Sequence, residues 1–504
     1  MANLPYQCLQ KCGDILVAAN STRIDSFNLE SGSLLSSWSP PTMGDLQISE
    51  SAELEEAADG PPAKKRKLSK ASDEVEAQAD VKENTNGKKK NKQLNVFESP
   101  AVITMASTKA GGHVIAVTGE DKSIRVFEVA SNGSLKQVSQ RAMPKRPCAV
   151  VITDDDSTII SADKFGDVYA LPLLPDATSA EVPSAEEDSK AGSETPEPAA
   201  GRLFKPAANE FTIHSVRNRK ALENQKRQTN WPKEKTDPTF EHNLLLGHVS
   251  MLTDLLLTTR NGRKYIITAD RDEHIRISRG MPQAHIIEGF CLGHTEFISR
   301  LCIPAGRDDI LVSGGGEDEL YIWDWLSGKL LSKAALRNHV DSAVRDASPE
   351  AESKKPTVSG IYHAKASGQD SRDLIIVSCE AVPALFVYCL TAQKTLEHQQ
   401  TVSLPGNALS VAINTVGGAS QMLVVSVDCI HKPRSIKERR EQTVSCPSLV
   451  ALSVTDDGLT EVSPLLFAAV KDEGALSEKE LAKLPNLLYN IENFRKREGA
   501  PEEE

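Results

Sequence analysis

The chain has 504 residues, and its 70 acidic and 58 basic side chains give a formal net charge of −12. This charge excludes a protein that binds nucleic acid over its whole surface and leaves only local basic patches for such contacts. Nine cysteines are scattered without a Cys-x-x-Cys pair, which argues against a disulfide scaffold or a zinc ribbon and favours a reducing compartment. No apolar run approaches the roughly 20 residues of a membrane-spanning helix, and residues 1–10 lack the pattern of a secretory signal.

Four polar segments interrupt the chain, at about residues 39–95, 175–240, 338–356 and 431–445. They lack apolar periodicity and bury too little apolar area to offset the entropy lost on ordering the chain. We therefore predict disordered insertions at these four places. The second is strongly acidic and the fourth is basic.

Between the interruptions, short runs of Val, Ile and Leu are bounded by Gly, Asp and Asn, which is typical of β-strands. A strand, an acidic turn and another strand recur at residues 118–127, 268–277 and 313–324. The first apolar residue after the turn repeats after 44 or 45 positions, as at 124 and 168 and at 275 and 320. That spacing is the period of a four-stranded propeller blade. The other intervals are longer, and the polar insertions account for the excess.

Three dipeptides sharpen this prediction: Gly-His at 247–248 and at 293–294, and Trp-Asp at 323–324. The pattern resembles the WD-repeat family, in which a histidine, a turn acid and a strand Ser or Thr hydrogen-bond to one another. The residues assigned to these hydrogen-bond chains are His248, His294, Asp272 and Asp121. We predict an all-β, seven-bladed WD40 β-propeller over residues 1–470. Its blades are expected at 15–38, 101–138 and 149–174 and from residues 244, 295, 357 and 407 onward.

The segment after the propeller, residues 471–504, has a different pattern. Ser477 to Glu480 form a plausible capping box, and leucines follow at near-helical spacing despite Pro485. The sequence therefore predicts a short helical tail that docks on the propeller or on a partner.

The common catalytic motifs are missing from the sequence: it has no phosphate-binding loop, no Gly-x-Ser-x-Gly and no His-Glu-x-x-His. We predict no catalytic, cofactor or metal site.

A compact basic cluster within the first insertion has the exposed, extended form that a nuclear-import receptor accepts. The alternative interpretation is a solvated run of charges. The cluster consists of Lys64, Lys65, Arg66 and Lys67, and it predicts a nuclear protein.

A second concentration of charge covers residues 271–276, in the turn and third strand of the fourth blade. In one interpretation Asp272 is only the turn acid and the arginines are solvated. Residues 247–252, 266–278 and 286–297 together also resemble the WD-repeat, non-catalytic subunit of the tRNA (guanine-N7-)-methyltransferase of fungi. The resemblance implies that a separate, S-adenosylmethionine-dependent subunit methylates N7 of guanosine 46 in the tRNA variable loop. This chain would bind and stabilise that subunit in a heterodimer, and tRNA would be bound through the complex.

The resemblance also implies where the partner binds, because the family places a basic residue matching Arg276 against acidic residues of the catalytic subunit. Strand alternation predicts that Arg276 is exposed while Ile275 faces the other side. The expected interface comprises Arg276, Arg271, Asp272, Glu273 and His274. The alternative function is that of a generic nuclear WD-repeat scaffold in ribosome biogenesis or chromatin.

Overall fold

A computed structural model describes residues 4–40, 100–175, 240–366, 372–416, 420–440, 446–456, 458–462, 467 and 478–496. Within these residues the chain forms 28 β-strands, arranged as seven antiparallel sheets of four strands each. The predicted seven-bladed β-propeller is confirmed. No helix in this part of the chain is both long and apolar enough to span a membrane.

The first three blades come from the N-terminal third of the chain and from one later strand. Blade 1 consists of β1 (Cys8–Cys12), β2 (Ile15–Asn20), β3 (Arg23–Asn28) and β4 (Leu34–Trp38). Blade 2 consists of β5 (Val102–Ser107), β6 (His113–Thr118), β7 (Ser123–Val129) and β8 (Leu135–Ala142). Blade 3 consists of β9 (Pro147–Ile152), β10 (Thr158–Asp163), β11 (Asp167–Pro172) and β12 (Asn243–Gly247).

The other four blades follow in chain order. Blade 4 consists of β13 (Leu252–Arg260), β14 (Arg263–Asp270), β15 (Ile275–Arg279) and β16 (Ile287–Cys291). Blade 5 consists of β17 (Ile298–Cys302), β18 (Ile310–Gly315), β19 (Glu319–Asp324) and β20 (Lys329–Ala335). Blade 6 consists of β21 (Val358–Lys365), β22 (Asp373–Cys379), β23 (Ala384–Leu390) and β24 (Leu396–Ser403). Blade 7 consists of β25 (Asn407–Val416), β26 (Ser420–Asp428), β27 (Leu449–Thr455) and β28 (Gly458–Glu461).

The first strand of each blade contacts the first strands of its two neighbours, so seven inner strands surround the centre of the ring. Blade 7 packs against blade 1 through β25 and β1, and the backbone N–H of Leu9 donates to Ser410 Oγ at 3.1 Å. Each of these two blades is complete in itself. The ring therefore closes by packing between the first and last blades rather than by exchange of a strand.

The middle strands of a blade are covered on both faces by neighbouring blades. All six residues of β2 are buried, whereas the outer strand β4 has none that is buried. Strands buried on both faces read as continuous apolar runs rather than as alternating ones. This explains the short Val, Ile and Leu runs in the sequence, and it bears on the position of Arg276.

Two predicted boundaries differ from the structure. The strand at residues 243–247, expected to begin blade 4, is the outer strand of blade 3. The long insertion separates it from β11, and this distance along the chain hid the pairing. The insertion therefore lies inside blade 3, between its third and fourth strands.

The polar segment after blade 5 is also ordered where disorder was expected. It contains helix α1 (Arg337–Ala347), which buries Val340 and Val344 on one face against blades 5 and 6. Apolar side chains four residues apart share one helix face, and these two were too few to show a period in the sequence. Residues 431–440 are held by a β-bridge between His431 and Arg439. Most of the insertions at 39–95 and 175–240 lie outside the described residues.

One cysteine pair departs from the expectation of reduced thiols. Cys429 and Cys446 are joined in a disulfide with their Cα atoms 6.1 Å apart, and the other seven cysteines are free. Their separation of 17 residues matches no motif that would have identified the pair.

The C-terminal tail contains helix α2 (Glu478–Leu488) and a 3₁₀ turn (Glu492–Phe494). The capping residue Ser477 lies outside the described part, and Pro485 lies within α2. The tail docks on the end of the ring that carries the turns between second and third strands. We call this end the upper face.

Candidate functional site

The predicted histidine chain is complete in blade 5. His294 Nδ1 lies 2.5 Å from Glu317 Oε2, and His294 Nε2 lies 2.8 Å from Ser313 Oγ. Trp323 Nε1 donates to the same Ser313 oxygen at 2.8 Å. All four side chains are buried. The chain joins the connector before blade 5 to its second and third strands, so its role is structural.

Blade 4 has only part of this arrangement. His248 Nε2 lies 3.0 Å from Thr268 Oγ1. Burial, followed by the positive charges of Arg276 and His274, lowers the pKa of His248 to about 4. Asp272, predicted as the turn acid of this chain, is not part of it. Asp270, at the start of the same turn, accepts the His274 backbone N–H at 3.0 Å.

Asp121 in blade 2 works with an arginine instead of a histidine. It accepts hydrogen bonds from Thr118 Oγ1 at 2.5 Å and from Arg125 Nη2 at 2.9 Å. Burial alone would raise the pKa of Asp121, but the hydrogen bonds from Thr118 and Arg125 outweigh it and lower the pKa. Asp121 therefore stabilises its blade as a charged carboxylate.

Arg276 differs most from the prediction, because its side chain is buried and only 9% of the residue is exposed. Its Nε donates to Ser278 Oγ at 3.0 Å and its Nη1 to the carbonyl oxygen of Gly247 at 2.9 Å. Alternation exposes every second residue only where one side of a strand faces solvent, whereas β15 is covered on both sides. Arg276 therefore ties the third strand of blade 4 to the connector from blade 3 and is not available to a partner surface.

The other four predicted interface residues lie together on the upper face, in the turn between β14 and β15. The structure brings Arg271, Asp272 and Glu273 against the chain's own tail. Arg271 Nε donates to the carbonyl oxygen of Phe494 at 2.8 Å, and Lys496 Nζ lies 3.2 Å from both Asp272 and Glu273. His274 is the most exposed of the four.

Two exposed apolar residues adjoin this turn and were not predicted as site residues. Val249, in the connector before blade 4, is fully exposed, and Phe165, in the corresponding turn of blade 3, is 65% exposed. The backbone places them side by side: Arg271 N–H donates to the carbonyl of Met251 at 2.9 Å, and His248 N–H to that of Gly166 at 2.8 Å. The sequence signal was Phe165 itself, which stands where a blade turn normally has an acid. We call residues 271–274 with Val249 and Phe165 the blade 4 turn surface.

The tail crosses the upper face from blade 7 to blade 4. Tyr489 donates a hydrogen bond to Asp428 of blade 7, and Ile491 and Glu492 donate their N–H groups to Glu380 of blade 6 at 2.9 and 2.8 Å. Arg495 then reaches blade 5. It donates to the carbonyl of Gly316 at 2.8 Å and pairs with Glu296 at 3.3 Å. The tail thus connects four blades of the ring and ends at the blade 4 turn surface.

The described residues contain no group of three or more His, Cys, Asp or Glu side chains that could hold a metal ion. The proposed import cluster, Lys64 to Lys67, lies outside these residues.

Comparison with known proteins gives a consistent result along the whole chain. The model of the tRNA methyltransferase TRM82 WD40 domain matches residues 16–452. A protein of Sclerotinia sclerotiorum, named tRNA (guanine-N(7)-)-methyltransferase non-catalytic subunit trm82, is 46% identical over 98% of both chains. Its counterpart in Coccidioides immitis, TRM82, is 38% identical over 96% of this chain and 95% of its own. The prediction that the chain is not itself an enzyme agrees with both names.

Solved structures support the fold alone. The RRP9 WD40 repeats superpose with a TM-score of 0.51 at 13% identity, covering 91% of this chain and 95% of theirs. U3-55K gives the same TM-score at 14% identity, covering 90% of this chain and 95% of its own. The repeat period, the seven blades and the full-length similarity agree, and the chain belongs to the TRM82 WD40 family of non-catalytic tRNA (guanine-N(7)-)-methyltransferase subunits.

Proposed function

We propose that this chain binds the catalytic subunit of a tRNA (guanine-N7-)-methyltransferase and stabilises its active conformation, so that N7-methylguanosine forms in the tRNA variable loop. The observation that carries the proposal is the full-length similarity to proteins named as non-catalytic subunits of that enzyme. A non-catalytic subunit contributes to the reaction only through a catalytic one. The two chains would form a heterodimer, and tRNA would be bound by the complex.

The blade 4 turn surface is the site that we propose for this partner. Protein interfaces combine apolar anchors at the centre with charged groups that steer and orient the partner. Here Val249 and Phe165 supply exposed apolar groups, and Arg271 and His274 lie next to them with donors for carboxylates of the partner. The surface is held on rigid strands, so little conformational entropy is lost when a partner binds.

Arg276 acts on this surface indirectly. Its hydrogen bond to the Gly247 carbonyl holds the connector that presents Val249, and Ser278 fixes the guanidinium from the side. Arg276 is therefore a positioning residue for the proposed interface. Replacing Arg276 should therefore lower both the stability of blade 4 and the affinity for the partner.

A test of the interface is Val249→Asp. The residue is fully exposed, so the substitution should leave the thermal unfolding midpoint unchanged, since exposed substitutions usually stay within about 0.5 kcal/mol. A carboxylate in the desolvated centre of an interface should weaken binding of the methyltransferase subunit by about 2 to 4 kcal/mol. Co-purification of the two subunits and mass spectrometry of N7-methylguanosine in cellular tRNA measure both effects.

Two further variants make the result specific. Leu34→Asp changes another exposed apolar residue, on the outer strand of blade 1, and should keep both binding and methylation. Arg276→Glu places a carboxylate against the Gly247 carbonyl, so it should lower the unfolding midpoint as well as binding. If the Val249→Asp variant binds the methyltransferase subunit with wild-type affinity, the partner binds elsewhere on the propeller.

A further inference from the structure

The centre of the ring holds a cavity of about 630 Å³ beneath the C-terminal tail. The inner strands of blades 2 to 5 form most of its wall, and residues of the 3₁₀ turn, including Asn493 and Phe494, line the side next to the tail. Its volume is typical of a small-molecule site, about 300 to 1,000 Å³. No function assigned above uses this cavity.

Donors without partners line the cavity between blades 3 and 4. Thr253, only 4% exposed, has no hydrogen-bond partner for its Oγ1, and Arg146 has none for its buried Nε. Buried polar atoms in folded proteins are almost always hydrogen-bonded, so such exceptions need an explanation. Thr253 lies on the inner strand β13, and Arg146 directly precedes the neighbouring inner strand β9. The two strands are joined where Cys148 Sγ lies 3.1 Å from the carbonyl oxygen of Leu252.

The equivalent residue of the next blade, Ser299, does have hydrogen-bond partners. The missing partner of the Thr253 hydroxyl is therefore not a general feature of the blades. The inner strands of blades 4 and 5 shift register by one residue at their start, between 252 and 254 and between 298 and 300. Thr253 and Ser299 are the bulged residues. Ser299 Oγ donates to the carbonyl of Val358 at 2.5 Å and lies 3.2 Å from that of Gly314. Of these two bulged residues, Thr253 alone has a hydroxyl without a hydrogen-bond partner.

Two basic side chains line this side of the cavity, and the buried carboxylate of Asp163 lies nearby without an ion pair to either. Within the described part of the chain, neither Arg146 nor Lys164 forms an ion pair, and both line the cavity. Burial, followed by the nearby charge of Arg146, lowers the pKa of Lys164. A bound anion would favour the charged form of Lys164 and so relieve this effect.

The other charged groups that line the cavity, Arg300 and Asp254, have hydrogen-bond partners of their own. Arg300 already donates to the carbonyls of Ser359 at 2.7 Å and Ser299 at 2.8 Å. Asp254 accepts the N–H groups of Leu255 at 3.0 Å and Leu301 at 2.7 Å, so its oxygens are occupied. Burial raises the pKa of Asp254, and the positive charge of Arg300 partly opposes this shift.

We propose that this cavity binds a phosphate group, held by the guanidinium of Arg146, the ammonium of Lys164 and the hydroxyl of Thr253. A planar guanidinium fork, a point charge and a neutral hydroxyl donor are the groups that proteins use to hold phosphate oxygens. The phosphate could belong to a small free anion or to the end of an RNA chain, and the chemistry of recognition is the same. The site lies within this chain alone, so it does not depend on the proposed methyltransferase partner.

Isothermal titration of the full chain with inorganic pyrophosphate at fixed ionic strength tests the proposal. The net charge of −12 opposes nonspecific attraction of an anion, so saturable binding near one equivalent indicates a local site. A second arm uses a short single-stranded RNA with and without a 5′-monophosphate. Binding of pyrophosphate, or of the phosphorylated RNA alone, supports the proposal and identifies the source of the phosphate. If neither binds, the proposal is wrong.

Substitutions of Arg146, Lys164 and Thr253 test whether these three residues hold the phosphate. Arg146→Gln and Lys164→Gln should each weaken binding of the active probe about tenfold or more, as expected for a hydrogen bond to a charged group. Thr253→Val should weaken it about fivefold, in line with a neutral donor. Lys329→Gln removes an exposed cation at the start of β20 and should have no effect. Equal binding by all four variants would overturn the site.

Stability without ligand gives an independent readout. Because the Thr253 hydroxyl has no partner, Thr253→Val should leave the unfolding midpoint unchanged or raise it. Ser299→Ala removes a hydroxyl that is hydrogen-bonded, so it should lower the midpoint. A clear loss of stability in Thr253→Val would show that this hydroxyl serves the fold, and it would remove Thr253 from the site.

Discussion

Glu317 is the turn acid of blade 5, and its carboxylate reaches several partners at once. Its oxygens accept from Thr295 N–H at 2.5 Å and from Tyr321 Oη at 3.1 Å, in addition to the contact with His294. Burial alone would raise the pKa of Glu317, but the hydrogen bond and charge of His294 and the bonds from Thr295 lower it below the usual 4.5. The charged form is therefore the one that stabilises blade 5.

This shift predicts a pH dependence of stability. A carboxyl whose pKa is lower in the folded state stabilises the fold above its unfolded pKa, and the effect disappears as pH falls through the folded pKa. Glu317→Gln should therefore cost about 1 to 3 kcal/mol at pH 7, and the difference from wild type should shrink below about pH 4.5. Thermal melts of both proteins across pH 3 to 7 measure this.

An exposed acid provides the control for that series. Glu352→Gln changes a mostly exposed side chain and should show little difference from wild type at any pH. A Glu317→Gln difference that stays constant from pH 7 to pH 3 would contradict the assigned charge.

Some single-residue positions could be predicted from the sequence and others could not. His294 was placed with a turn acid because the Gly-His and Trp-Asp dipeptides fix its position within a blade, and such local relations survive folding. Arg276 was misplaced because its exposure depends on what covers β15, which involves residues outside the repeat. Asp272 pairs instead with Lys496 of the tail at 3.2 Å, and a contact across more than 200 residues leaves no local signal in the sequence.

The tail is an element whose docking depends on a few buried polar groups. The hydroxyl of Tyr489 donates to Asp428 and accepts from Asn407 Nδ2 at 3.1 Å, and His431 Nδ1 lies 2.7 Å from the same carboxylate. Burial, followed by the charge of Asp428, raises the pKa of Tyr489 well above its usual range. The phenol therefore remains a donor at any physiological pH.

Tyr489→Phe should loosen this tail. It leaves the buried Asp428 with one donor fewer, which should cost about 1 to 3 kcal/mol. Hydrogen exchange should accelerate at the backbone amides of Ile491 and Glu492, which donate to Glu380. Asn486→Ala, at an exposed position of α2, should leave the exchange unchanged. If both variants exchange like wild type, the tail is held mainly by its contacts farther along, at Arg495.

The helices and strands differed in how well they could be predicted from the sequence. The existence of the tail helix was predictable from the spacing of its leucines, but its path was not, because its contacts reach four blades. The outer strand of blade 3 was assigned to the wrong sheet, since β11 and β12 pair across a long insertion. Helix α1 buries only one short face, which was too little signal within a polar segment.

At the scale of the whole molecule, we propose that the first insertion directs the chain to the nucleus without contributing to the fold. Replacing residues 41–92 by a short Gly-Ser linker should leave the unfolding midpoint nearly unchanged, because Trp38 still packs on Phe127 with ring centroids 4.7 Å apart. The same protein should lose nuclear accumulation, measured by fluorescence microscopy. Alanine at the four cluster positions, residues 64–67, is the matched control and should lose import without any deletion. A large drop in the midpoint would make the insertion structural.

The number of blades could be predicted because each blade repeats the same local pattern. The central cavity could not, because Arg146, Thr253 and Phe494 come from two different blades and the tail. The same is true of the blade 4 turn surface, where Phe165 and Val249 come from two different blades. Contacts between different blades, or between a blade and the tail, leave no periodic pattern in the sequence and could not be predicted.

The split of blade 3 has a consequence for the covalent continuity of the molecule. Residues 4–175 contain three strands of this blade, and the fourth, β12, belongs to the polypeptide that follows the insertion. The two strands pair over Asp167 to Ala170 and Asn243 to Gly247. A protease that cut between residues 176 and 239 would leave two fragments sharing one sheet, each also packed against the other where blade 7 meets blade 1. Cleavage there would appear on a denaturing gel while the particle stayed whole in solution.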